Sequence, residues 1–529
     1  MNSAFDVIIV GAGASGLSAA YILLKAGLKV CCVEQGNDLC GLTSLEHGGE
    51  VERFTSLSYD INDHHDFSSF NVDTSNSSIK PLFYHGVGGS TLVHSSQYPR
   101  FHRSDFRIFS LDGIGRDWPL SYDSLVPFYN LNESITGVAG LPGDPMYPDW
   151  NGPFLPPVPL GILGLRLKKA FTDLGWHHWP SYAALNTVPY NGRPSDNFHR
   201  PTNLGDLTGS KGSVNNTYLP LCLNLGLVLL KNTKVLRLNS SKGRVSSLEC
   251  INSNNYSFSL KARNYFICAG GIGTPRLLLN SSSPEYPNGL SNSSGMVGKN
   301  LMLHPLGYGE GYYEENLSSN YGPQGCCLIS QQFYETSQDR NFKRGYTIQS
   351  LRGPLPVEAA LSFYKKRLLK FGDNFWSNFF SLYNHTSHLT VICEDTPSID
   401  NYISLNHSKL DRHGFPGIKV SYSLSDNSKK MLSHGLQSIK TLLKASGAYK
   451  VLVSGPVFNT GWHIHGTCIM GANPSDSVVN SFGRSHDICN LYVFDSSMFP
   501  SSSGVNPCST VQALSLYLAT QFLSTACHV

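Results

Sequence analysis

Asp6-Val7-Ile8-Ile9-Val10-Gly11-Ala12-Gly13-Ala14-Ser15-Gly16 is an apolar run that passes directly into a glycine-rich turn. The run reads as a buried strand, and the apolar stretch from Leu17 to Ala26 reads as a helix. A second apolar run, Lys29 to Val33, ends at Glu34. Strand, turn, helix, strand is the opening of a parallel sheet with helices on its faces. In this setting Gly11, Gly13 and Gly16, with Ala14 and Ser15 between them, let the backbone approach a pyrophosphate at the positive end of the helix. Glu34, 18 residues beyond Gly16, is a carboxylate placed to accept hydrogen bonds from an adenosine ribose. A carboxylate there, rather than a basic residue, disfavours a phosphorylated ribose and hence NADP. FAD and NAD both remain open on this segment alone.

The chain has 529 residues, enough for two interleaved domains around a large buried core. Its formal charge is +3, from 40 Lys and Arg against 37 Asp and Glu, which leaves no basic excess to hold a phosphate backbone. Nucleic acid is therefore not expected as a partner. The 13 cysteines form no CxxC pair, and several lie in apolar runs, such as Cys31, Cys32 and Cys268. They read as reduced, buried small hydrophobes. Met1 leads into the first strand without a basic region or cleavage site, and no long uncharged apolar run appears. A soluble, cytoplasmic protein without a membrane span is expected.

Residues 60 to 82 are rich in Asp, Asn, Ser and His and read as an exposed excursion; a second glycine-rich segment follows at 86 to 90. Seven prolines between 140 and 160 suggest an irregular connection into another layer. The runs Leu227 to Leu230 and Tyr265 to Cys268, with a polar hairpin near Asn239 to Arg244, read as a return to the first domain. Residues 306 to 454 differ. They carry the aromatic stretch Phe375 to Tyr383, alternating segments at Leu389 to Cys393 and Ile418 to Tyr422, and a helical stretch from Lys429 to Ala445. This region reads as a sheet with a covering helix on the substrate side.

The C-terminal quarter decides the cofactor. Trp462-His463-Ile464-His465-Gly466-Thr467-Cys468-Ile469-Met470-Gly471 is followed by Leu491-Tyr492-Val493-Phe494-Asp495-Ser496-Ser497-Met498-Phe499-Pro500 and then Gly504-Val505-Asn506-Pro507-Cys508-Ser509-Thr510. Further segments are Gly86-Val87-Gly88-Gly89-Ser90-Thr91, Pro99-Arg100-Phe101, Asp117-Trp118-Pro119-Leu120-Ser121-Tyr122, Ala269-Gly270-Gly271-Ile272-Gly273-Thr274-Pro275 and Gly298-Lys299-Asn300-Leu301. Together they resemble the signatures of the glucose-methanol-choline (GMC) oxidoreductases, in that family's order. Within it they are nearest to the branch of pyranose oxidases and the flavoproteins of gluconate and fructose dehydrogenases. The resemblance implies an α/β fold: a Rossmann-like FAD-binding domain with a discontinuous substrate domain of α+β type, a β-sheet with covering helices. The expected division is residues 1–139, 204–305 and 455–529 for the FAD-binding domain, 140–203 for a substrate-side segment and 306–454 for the substrate-binding domain.

The family's catalytic histidine falls on His463 and its second position on Asn506. His463 would act as base on a substrate hydroxyl, and Asn506 would donate to the same oxygen. His465 is expected to have a structural or supporting role. The resemblance also places Gly88, Gly89, Ser90, Val235, Ala269, Gly270, Asp495 and Pro507 beside the flavin cofactor. Pro507 suits the first turn of a helix whose positive end would face the flavin. Some members bind FAD covalently through a histidine; at equal spacing this chain has Val93, with His94 one residue later. Non-covalent FAD is expected. No cysteines occupy residues 203 to 211, so no iron–sulfur cluster is expected. The implied activity is oxidation of a small-molecule alcohol, a sugar or polyol, by hydride transfer to flavin. The electron acceptor stays open between a quinone, a cytochrome and oxygen. The rival readings are a redox-inert flavin-binding assembly subunit and a lyase on the same scaffold.

Overall fold

The computed structural model describes residues 5–38, 62, 67–152, 154–198, 202–206, 208–322, 325 and 327–526. Its first layer is a five-stranded parallel sheet in the order Leu491–Val493, Ala262–Ile267, Phe5–Val10, Val30–Val33, Val228–Leu230. The strand Phe5–Val10 lies in the middle of that order, and Val7, Ile8 and Ile9 are fully buried, as the unbroken apolar run requires. The helix Ala14–Lys25 packs on this sheet beside the last helix, Cys508–Ala526. The Ser515 hydroxyl donates to the Ser15 carbonyl across that contact at 2.7 Å, joining residues 500 positions apart. A three-stranded meander, Thr233–Ser241, Arg244–Asn252 and Ser257–Leu260, is appended to the layer.

The second layer is a six-stranded antiparallel sheet in the order Lys450–Ser454, Leu306–Tyr312, Thr386–Cys393, Tyr346–Leu351, Leu328–Ser330, Trp179–Pro180. The helix Asp426–Ala445 covers one of its faces, and its N-terminus is capped by the Ser425 hydroxyl, which accepts from Ser428 N at 3.0 Å. The alternation along Leu306–Tyr312 explains the close fit. A Cβ on Gly307 or Gly309 would come within 2.9 Å of Leu436 or Ile439 on that helix. The residues between and beside these glycines, Leu306, Tyr308 and Glu310, face the opposite way, into a cavity.

Two expectations need correction. Residues 72–77 are not an exposed excursion: they form a strand parallel to Pro416–Tyr422, with Phe70, Val72 and Ile79 buried. Polar residues suit this strand because only one of its faces is covered. The segment from Ile418 to Tyr422 is a strand, but it belongs to this separate three-stranded sheet with Tyr402–Leu410, not to the six-stranded one. Residues 60, 61 and 63–66 of the expected excursion lie outside the described residues.

Candidate active site

One continuous cavity of about 790 Å³ is lined from both layers. At one end lies the glycine turn. Gly11 has φ +107°, and a Cβ there would sit 2.4 Å from the Cys268 carbonyl oxygen. Gly16 does not reach the cavity: its missing side chain lets the helix close on the strand, since a Cβ would lie 2.0 Å from the Gly11 carbonyl. Gly13 differs from both. It faces the cavity, and the nearest atom to a Cβ there would be Gly89 Cα at 3.9 Å. Among the described residues, no side chain caps the N-terminus of the helix that starts at Ala14. The cradle therefore has room and backbone N–H groups for a diphosphate.

Glu34 ends its strand and lines the same end of the cavity. It accepts from Ala12 N at 2.9 Å and from Gly36 N at 2.8 Å, while burial pushes its carboxyl above the usual range. The second glycine segment folds over the first, with Gly88 N donating to Ala12 O at 2.8 Å. Gly88 itself sits behind the wall, whereas Gly89 and Ser90 line it. Ala14, Ser15, Val235, Ala269, Gly270, Asp495 and Pro507 line it as well. Asp495 accepts from Gly270 N at 2.9 Å and from the Thr274 hydroxyl at 2.6 Å, which pins the start of the helix Gly270–Asn280. Pro507 immediately precedes the last helix, and its carbonyl accepts from Val511 N at 2.9 Å. Val93 and His94 both line the cavity; His94 Nδ1 accepts from Ser96 N at 2.8 Å, and its Nε2 has no hydrogen-bond partner among the described residues.

At the other end are His463 and Asn506. A short antiparallel pairing, Leu303 opposite Ile464 and Met302 opposite His465, brings the segment after Lys299 alongside the histidine segment. The next position in that register sets His304 against His463, a contact that no motif announced. His304 Nε2 lies 3.1 Å from the Ser502 carbonyl, and His304 Nδ1 lies 2.9 Å from His463 Nδ1. A carbonyl only accepts, so His304 carries its proton on Nε2 and offers a lone pair at Nδ1. His463 must then donate from Nδ1, which leaves the lone pair on His463 Nε2. Asn506 Nδ2 stands 3.4 Å from that nitrogen, and Asn506 Oδ1 accepts from Gln349 Nε2. The polarity of the whole chain thus follows from one backbone carbonyl.

Removal from bulk water, with His304 adjacent, holds His463 well below the ordinary imidazole value. Burial likewise pushes His304 down to about 4. His465 is fully buried, stacked on Phe499 at 5.3 Å, and neither of its ring nitrogens has a hydrogen-bond partner among the described residues. The loop that presents Ser502 and Asn506 is fixed by its own hydroxyls. The Ser501 hydroxyl donates to Asp105 O at 2.8 Å and accepts from Trp118 Nε1 at 2.6 Å. The Ser502 hydroxyl bridges the backbone of Asp395, at 2.8 and 2.9 Å.

Comparison with known proteins bears out the family resemblance of the sequence. Residues 186–306 and 397–515 match the N- and C-terminal domains described as GMC oxidoreductase, and residues 6–73 match the domain described as FAD dependent oxidoreductase. The chain is 33% identical over 526 residues to 2-methyl-1,2-propanediol dehydrogenase of Mycolicibacterium austroafricanum, covering 97% of this chain and 94% of that protein. It is 26% identical over 556 residues to the fructose dehydrogenase large subunit of Gluconobacter japonicus, covering 98% of each. The crystal structure of pyridoxine 4-oxidase from Mesorbium loti has the same fold, with a TM-score of 0.71 at 17% identity over 99% of both chains.

Proposed function

The chain belongs to the GMC oxidoreductase family of FAD-dependent enzymes and is an alcohol dehydrogenase or oxidase; from that premise we propose that it oxidises a sugar or polyol with His463 as base. FAD, when bound, supplies the acceptor for the hydride at its flavin N5. The substrate's carbinol carbon loses that hydride, its hydroxyl loses a proton to His463 Nε2, and a carbonyl product remains.

The observation that supports this reading is the polarity running from the Ser502 carbonyl through His304 to His463. It aims a lone pair, not an N–H, at the position a hydroxyl would take. A hydroxyl oxygen bridging His463 Nε2 and Asn506 Nδ2 would donate to the first and accept from the second. Asn506 then steadies the negative charge that develops on that oxygen. Toward the cofactor, the turn from Gly11 to Ser15 would receive the diphosphate and Glu34 the adenosine ribose. Gly89, Ser90, Val235, Ala269, Gly270 and Asp495 line the stretch between. The start of the last helix, at Pro507, would favour negative charge on the bound group by roughly 0.3 to 2 kcal/mol. Val93 stands where a covalent attachment would need histidine, which supports FAD held without a covalent bond; acid precipitation should leave the colour in the supernatant, whereas a coloured pellet would assign attachment to His94.

The decisive experiment is anaerobic flavin reduction by a panel of sugars and polyols. His463→Ala should slow reduction by about 10² to 10⁴-fold while retaining FAD. His465→Ala should change the rate far less. Reduction of the His463→Ala protein at the wild-type rate would refute the assignment of the base.

A further inference from the structure

The cavity face of the six-stranded sheet is organised in rows by its register. Leu306 pairs with Ile392, Tyr308 with Thr390, and Glu310 with His388; on the other side of the same strand, Thr390 pairs with Gln349. Residues two apart share a face, so the wall comprises an apolar row of Leu306 and Ile392, a neutral polar row of Tyr308, Thr390 and Gln349, and an ionisable row of Glu310 and His388. All seven line the cavity.

The rows differ in which hydrogen-bonding groups are already engaged. Glu310 is occupied by Lys366 and by the Tyr312 hydroxyl, and His388 by Tyr308 and Thr386. In the middle row, Gln349 uses its Nε2 to hold Asn506 Oδ1. Its Oε1 and the Thr390 hydroxyl make no hydrogen bond to any other described residue. Both residues are more than nine-tenths buried, Gln349 at 3% and Thr390 at 7% exposure. Directly opposed residues on one sheet face lie with Cβ atoms about 4.5–5.5 Å apart, close enough for one small group to touch both. An unfilled acceptor and an unfilled hydroxyl therefore stand side by side, next to the residue that receives the reacting oxygen. Both residues open onto the cavity, where a ligand that displaces water must replace its hydrogen bonds, so this row favours a ligand that brings a polar partner.

We propose that Gln349 and Thr390 form a subsite for a second hydroxyl on the carbon next to the one oxidised, so that the substrate carries a vicinal diol. This rests on the reading of His463 and Asn506 as the oxidising pair. The second hydroxyl donates to Gln349 Oε1 and exchanges a hydrogen bond with Thr390 Oγ1, while the first lies between His463 and Asn506. A mono-alcohol of the same length leaves both groups unpaired and is discriminated against.

The test is anaerobic flavin reduction with alcohols in matched pairs that differ by that one hydroxyl, from 1,2-propanediol and 1-propanol to hexoses and their 2-deoxy counterparts. The wild-type protein should reduce with the diol member at least about tenfold more efficiently. Thr390→Val, which removes the hydroxyl at nearly constant volume, should lose most of that preference by slowing the diol and sparing the mono-alcohol. Thr390→Ser should restore it, and retained FAD would show that both variants fold. Gln349 is left intact because its loss would also disturb Asn506. Equal reduction by both members of every pair, or an equal loss on both in Thr390→Val, overturns the subsite and leaves the oxidase or dehydrogenase reading standing. No reduction by any alcohol overturns both.

Discussion

His463 differs from a free imidazole in its partners and in its distance from bulk water, and this difference sets a pH dependence. An ordinary histidine loses its basic form as pH falls through about 6.5. Burial and the adjacent His304 lower the pKa of His463, so its neutral, basic form persists to lower pH. His304, held down to about 4, also stays neutral across that range and keeps its lone pair toward His463. Anaerobic flavin reduction should accordingly stay level from roughly pH 8 to below pH 6.5, with the acid limb beneath the ordinary imidazole value. A rate halved at pH 6.5 would show that the lone pair is not protected in this way. His463 and Asn506 were legible in the sequence because each sits in a short motif whose spacing survives as a string. His304 was not, although it touches His463, because 159 residues separate them and only the pairing of Leu303 with Ile464 brings them together. Thr390 was equally hidden. Nothing in a strand of buried residues tells which hydroxyl is left unpaired until the register is known.

The turn between the first strand and the first helix shows how similar glycines can serve different ends. Gly16 is needed by the protein itself, because a Cβ would collide with the Gly11 carbonyl at 2.0 Å and drive the helix off the strand. Gly13 has no such neighbour within 3.9 Å. Gly16→Ala should therefore lower the melting temperature and the yield of folded chain, whereas Gly13→Ala should fold normally and lose affinity for FAD. Circular dichroism read beside the FAD-to-protein ratio separates the two. A Gly13→Ala protein with a full complement of FAD would remove the diphosphate from that position. Most elements in this layer could be read from the chain, since a parallel strand buried on both faces is an unbroken apolar run. The strand Val72–Ser77 escaped detection because it is polar on its open face and makes its pairings with a strand more than 300 residues away. Composition reported its exposure and concealed its hydrogen bonds.

At the scale of the molecule, the two layers are joined by buried charge as well as by the chain's repeated crossings. Arg344 donates to Asp105 at 2.6 Å and to Glu394 at 2.9 Å, all three almost wholly buried. Tyr334 donates to the same Asp105 and accepts from Gly504 N, so the network ends in the loop that carries Asn506. None of this could be anticipated from composition, because a charge of +3 on the whole chain says nothing about which ions face each other. The general plan was more accessible, since the motif order follows the order of crossings between layers. The lacing of the first helix to the last, through Ser15 and Ser515, bears on how the molecule is made. The glycine turn is translated well before Asp495, Pro507 and the helix behind them. A nascent chain therefore carries the fingerprint of a flavoprotein long before it has a complete berth for the flavin. Cofactor uptake then waits on the last helix, and a product terminated before that helix is colourless however much of the fingerprint it contains.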